Sequence, residues 1–142
     1  MADAHERVEA FLERHRGGPH EPHFAAFFDC FNAGLFFEAH EMLEVRWLPA
    51  RGQPDGNFYK ALIQLAGAFV HCRKARLGPA AALFRLAATN LAAYPPAHLD
   101  LDVAGTRARI VDWLADLETR QRNPLAAGPP RLALGAETGR EC

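Results

Sequence analysis

The chain has 142 residues, of which 49 % are hydrophobic and 23 % charged, with a formal net charge of -1 and a pI of about 6.6. That length and composition suit one domain with one core, and the near-neutral charge argues against nucleic acid or an anionic membrane as partner of the whole surface. No apolar run approaches the roughly 20 residues that span a bilayer, and MADAHERVEA lacks an apolar signal region, so the expected location is the cytoplasm.

Helices are expected nearly everywhere. Asp3 can cap a first helix running to about Arg16, with Val8, Phe11 and Leu12 on one face, ended by Gly17-Gly18-Pro19. Pro22 fits the first turn of a second helix, Phe24 to Ala33, with Gly34 as its C-terminal glycine. A third runs from Leu35 to Trp47 or Leu48, where Pro49 stops it. After a turn-rich loop, RGQPDGN, a fourth spans Phe58 to Leu77, and Gly78-Pro79 breaks it to begin a fifth, Ala80 to about Tyr94. Asp100 or Asp102 can cap a sixth, ending near Arg120.

The fold class expected is therefore all-α, a compact bundle of about six antiparallel helices with helical-hairpin packing, because short connections make neighbours antiparallel. The domain covers residues 1–122. Residues 123–142 form a Pro/Gly-rich tail in which Pro130 to Leu134 alternates and is expected to lie extended against the bundle. The last eight residues read as a loose end.

The third helix carries the most informative pattern, Glu38-Ala39-His40-Glu41-x-x-Glu44. Polar groups on an apolar helix are costly unless bonded. On a helical wheel Phe36, Ala39, Leu43 and Trp47 form the core stripe, His40 lies at its edge, Glu41 and Glu44 flank it, and Glu38 points to solvent. The fourth helix is apolar almost all round except for one line, Lys60, Gln64 and His71 with Gly67 between. This line is expected to face the His40–Glu44 flank, giving a site of His40, Glu41, Glu44, Gln64 and His71.

Three chemistries compete for these residues. A divalent metal is a candidate cofactor, with His40, Glu41, Glu44 and His71 as ligands, since bundles build metal sites from inward His and Glu. Neither histidine, however, has the Glu-x-x-His spacing of the ferritin-like pattern. Acid–base chemistry needs a Glu and a His at tuned pKa values in a pocket. A hydrogen-bond network that fixes helix register needs only that the groups pair, and this reading leads.

Elsewhere, His15, His20 and His23 cluster around a Gly-Gly-Pro turn and read as a solvated loop, and Trp47, Tyr59 and Trp113 as core or near-core aromatics. Cys30, Cys72 and Cys142 are far apart with no metal or disulfide spacing, and the first two read as buried thiols in a reducing compartment.

Two separated stretches, FNAGLFFEAHEMLEVRW and FYKALIQLAGAFVHCRKARLGPAAALFRLAATNL, resemble the domain-of-unknown-function family numbered 309. The likeness rests on Asn32, Gly34, Glu38, Ala39, His40, Glu41, Glu44, Leu62, Ile63, Gln64, Ala66 and His71, in order, and extends over about residues 24–117. It departs at Ala61, where glycine is usual, and at Arg76-Leu77-Gly78. The resemblance implies an all-helical fold and no particular activity. The functional expectation is a soluble, non-enzymatic structural or interaction module with a buried His/Glu/Gln polar site; the sequence names no protein or small-molecule partner. The alternative is a metal-dependent, hydrolase-like or acid–base enzyme using His40, Glu41, Glu44 and His71.

Overall fold

A computed structural model describes residues 3–135. The expected loose end lies, beyond Gly135, outside the described residues, as does Cys142. Six α-helices occur among the described residues: α1 Ala4–His15, α2 Pro22–Asn32, α3 Phe36–Ala50, α4 Gly56–Arg73, α5 Leu77–Leu91 and α6 Val103–Glu118. Consecutive helices pack as antiparallel hairpins, α2 on α3, α3 on α4, α4 on α5, with α6 against α5 and α1 against α2. The all-helical expectation holds, including the packing of α3 along α4. No helix among the described residues is long and apolar enough to cross a membrane.

The caps explain the boundaries. Asp3 accepts a hydrogen bond from the Glu6 amide at 2.8 Å and opens α1, as expected. Glu21 caps α2 by accepting from the Phe24 amide at 2.9 Å, with Pro22 in the first turn. Gly34 ends α2 at φ +78°, and the Leu35 amide returns to the Cys30 carbonyl at 2.8 Å, the bonding of a Schellman turn. Asp102 caps α6 through the Gly105 amide at 2.8 Å.

Three boundaries differ from expectation. α4 stops at Arg73, four residues early, because Ala75 takes φ +57° and the Arg76 amide bonds back to the His71 carbonyl at 2.9 Å. An alanine thus holds a left-handed position that usually calls for glycine. Gly78 and Pro79 do not break the helix. They sit in the first turn of α5, where a missing proline amide costs nothing. Likewise Pro49 lies inside the last turn of α3 and ends the helix one residue beyond itself.

Between α5 and α6 a two-residue hairpin pairs β1, Ala97–His98, with β2, Leu101–Asp102, in antiparallel register. Leu134 bridges Leu101 on the other side, so the tail does lie extended against the fold, with Leu132 and Leu134 buried. Asn32 holds that tail from α2. Its Nδ2 donates to the Leu132 carbonyl at 2.7 Å and its Oδ1 accepts from the Leu132 amide at 2.8 Å. Farther back, Asn123 Nδ2 donates to the Cys72 carbonyl at 2.6 Å.

The core is aromatic. Phe27, Phe31, Phe36, Phe58, Phe69 and Phe84 are fully buried, and Phe69 of α4 sits among Phe31, Phe36, Phe84 and Trp113 with centroids 4.9–5.6 Å away. Arg73 closes the α2–α3 corner. Its guanidinium donates to the Gly34 carbonyl at 2.6 Å and lies 4.7 Å over the Phe36 ring.

Candidate functional site

α3 presents two contrasting faces. Phe36, Ala39, Met42 and Leu43 are buried against α2 and α4. The opposite arc, about 160° wide at 100° per residue, carries His40, Glu44, Phe37, Leu48, Glu41, Val45 and Glu38 in that angular order. Phe37, Val45 and Leu48 are 54 %, 51 % and 49 % exposed. The acidic residues of the Glu38–Glu44 motif are therefore interleaved with three large apolar side chains on the outward face of the helix.

Along one edge of this arc, α3 and α1 leave a groove of about 340 Å³. Val8 and Leu12 of α1 with Met42 and Val45 of α3 form its apolar walls. Glu9, Glu38 and Glu41 supply three carboxylates, and His5 and His23 stand at its margins. At the other edge, His40 Nε2 lies 3.8 Å from Glu44 Oε2, one helical turn on, and the imidazole rests 5.9 Å from the Phe37 ring. Both partners are partly open to solvent, which limits the strength of that pair. Arg46, on the inner side of α3, reaches Glu21 at 3.6 Å and ties the start of α2 to this helix. Hydrogen bonds from His23 and the Phe24 amide hold the Glu21 carboxyl below its usual range, against a desolvation that acts the other way and is the largest single influence.

Gln64, from the second half of the sequence-derived site, lies elsewhere. Gln64 turns to α5, where its Oε1 accepts from Asn90 Nδ2 at 2.8 Å. A Cβ at Gly67 would stand 3.2 Å from Leu83 Cδ1, so this glycine admits α5. The Gln64–Gly67 line thus faces α5, and the expectation that it faces the His40–Glu44 flank is corrected. An apolar helix lodged between two neighbours gives its polar line two possible partners, and periodicity alone does not choose between them. His71, farther along α4, is half-buried, and its Nδ1 has no hydrogen-bond partner among the described residues. No group of three His, Cys, Asp or Glu side chains that could hold a metal ion occurs among the described residues.

The sequence reading set Glu38 aside, yet Glu38 shares the groove with Glu41. The same wheel contained the signal: Phe37, Val45 and Leu48 fall on the polar arc, where apolar residues have no core to meet. The histidines near the Gly-Gly-Pro turn are also more engaged than a solvated loop. His15 Nε2 lies 2.6 Å from Asp29, His20 Nε2 2.9 Å from Asp100, and His23 Nδ1 3.0 Å from Glu21.

A family model described as a domain of unknown function (DUF309) matches residues 24–83, from the start of the α2 core to the middle of α5. The resemblance read from the two motifs is thereby shown over the stretch that holds the Glu38–Glu44 motif, Gln64 and His71. It ends short of the residue 117 that the motif reading reached. Neither the curated proteins nor the solved structures give a match.

Proposed function

We propose that the chain is a non-enzymatic interaction module whose α3 face receives a basic, apolar protein segment. The observation that carries this reading is the alternation of Phe37, Val45 and Leu48 with Glu38, Glu41 and Glu44 on one solvent-facing arc. Apolar side chains grouped on a surface and rimmed by charge are characteristic of contact sites. The α1/α3 groove beside them has the form that accepts the apolar face of an amphipathic helix.

Charge selects the occupant. Glu9, Glu38 and Glu41 line the groove with no Lys or Arg among them, and Glu44 lies on the same arc of α3, so a complementary segment carries Lys or Arg beside its apolar anchors. A second copy of the chain docked symmetrically through α3 would set these carboxylates against themselves. Two buried free thiols, Cys30 and Cys72, accord with a reducing compartment such as the cytoplasm.

The test uses two designed amphipathic helical peptides of equal length and apolar face, one Leu/Lys and one Leu/Glu. The Leu/Lys peptide should bind, more weakly as salt rises. The Glu41→Lys/Glu44→Lys variant should lose at least about tenfold of that affinity, and Phe37→Ser a similar amount. Equal binding of the two peptides, or unchanged binding by both variants, would show that the face is an ordinary helix surface.

A further inference from the structure

A second recess shares no lining residue with the α3 groove. The α1–α2 loop, the first turns of α2 and α4, and the β1–β2 turn border an open cavity of about 390 Å³, lined chiefly by His20, Glu21, Phe24, Tyr59, Leu99 and Asp100. That volume is within the usual range for small-ligand sites. We propose that this cavity binds a small organic ammonium, a protonated amine carried on an aromatic or branched apolar body.

Three observations converge on that class. Phe24 and Tyr59 meet edge to face with centroids 6.0 Å apart, and with Leu99 they give the cavity an apolar, aromatic interior suited to a flat or branched body. Two carboxylates, Glu21 and Asp100, line the same space; no Lys or Arg does, the nearest to Glu21 being Arg46, 3.6 Å from it and outside the lining. A cation beside the aromatic rings gains from both the carboxylates and the ring quadrupoles, whereas an anion meets repulsion. Finally, Tyr59 is only 7 % exposed, and its hydroxyl has no hydrogen-bond partner among the described residues. That hydroxyl is left to water, and an ammonium or its bound water would take its place as partner.

The backbone holds the acidic wall in place. Leu99 and Asp100 form the two-residue hairpin turn at φ +49° and +66°. Such a turn ordinarily takes Asn-Gly, because both residues need the left-handed region. Leucine is poorly suited to it, and here it lines the cavity while Asp100 reaches His20 Nε2 at 2.9 Å. His20 is in turn nearly buried, its side chain 10 % exposed, and it holds one oxygen of the Asp100 carboxylate, whose own side chain is 58 % exposed, beside the recess.

The experiment is an NMR titration of the full chain with phenethylamine, against 3-phenylpropionate as an anion of similar apolar body. Phenethylamine should shift the amides of His20, Phe24, Tyr59 and Asp100 saturably, with a Kd of about 1 mM or tighter, and 3-phenylpropionate should bind at least about tenfold more weakly. Asp100→Asn removes the charge and keeps a residue that favours the left-handed turn, and should weaken the amine at least about fivefold. Tyr59→Phe should weaken it by a smaller factor. The proposal fails if the amine does not saturate by about 10 mM, if the anion binds as well, if Asp100→Asn leaves affinity unchanged, or if the shifts map to α3. The comparison of the two ligands on the unaltered chain decides the matter even if a variant does not fold. It is also indifferent to whether α3 docks a peptide.

Discussion

Phe69→Ala removes the ring on which the α4 core converges. Phe69 is fully buried and meets four aromatic rings, at 5.6 Å from Phe31, 5.2 Å from Phe36, 5.2 Å from Phe84 and 4.9 Å from Trp113. Truncating a buried Phe to Ala costs about 3–5 kcal/mol through lost transfer energy and an unfilled cavity. Each aromatic pair carries about 0.5–1.5 kcal/mol beyond area. Those terms overlap, so the expectation is the upper part of the range, about 4–5 kcal/mol. The four rings belong to α2, α3, α5 and α6, and no single helix can slide inward to fill the void. Against a domain stability of about 5–15 kcal/mol, such a loss leaves a marginal fold. With a urea slope of about 2 kcal/mol/M, the midpoint should fall by about 2 M at unchanged slope. Phe37→Ala, on the open face, is the control and should move stability by no more than about 0.5 kcal/mol. A midpoint within about 0.5 M of the parent for Phe69→Ala would mean that α4 is not the centre of the core.

Other perturbations test the joints between elements. Gly34→Ala should cost about 1–2 kcal/mol in urea unfolding, since φ +78° is unfavourable for alanine and its Cβ would stand 3.2 Å from Arg73 Nη2. A neutral result would place the chain reversal elsewhere. Asn32→Leu removes both hydrogen bonds to Leu132 and should release residues 130–135 to faster amide exchange, with a stability loss of about 1–3 kcal/mol. Unchanged protection at Leu132 would show that the tail is held by burial alone. Burial pushes the Cys30 and Cys72 thiols up to about 12, with Asp29 and Glu38 adding to the rise at Cys30. In a Cys142→Ser background, neither thiol should react with a disulfide reagent at pH 8 until the chain unfolds. Because the folded thiols ionise later than the unfolded ones, stability should be full below about pH 8.5 and fall as pH rises toward 12. Prompt labelling of either thiol in the folded chain would overturn that reading.

How much of this was legible in the sequence depended on whether a signal was local. Asp3, Pro22, Gly34 and Asp102 act within one turn of their own backbone, and the elements they bound match expectation. Ala75 escaped notice because nothing in its side chain announces a left-handed residue. The position is imposed by the His71–Arg76 hydrogen bond that closes α4. Gly78-Pro79 misled because the same dipeptide serves equally as a break and as a first turn. The α3 face was half legible. The motif identified the polar residues, and the wheel placed His40, Glu41 and Glu44 together. The assumption that polar residues on an apolar helix must converge inward drew Gln64 into the same site, whereas it pairs with Asn90 of α5. The cost of burial works in the other direction as well. A cluster of carboxylates with no Lys or Arg opposite it is cheapest in water, and α3 turns Glu38, Glu41 and Glu44 outward together with Phe37, Val45 and Leu48. The carboxylates gain from that exposure and the apolar side chains do not. Folding leaves that opposition standing on one helix face, and a partner that offers both cations and apolar surface would relieve it.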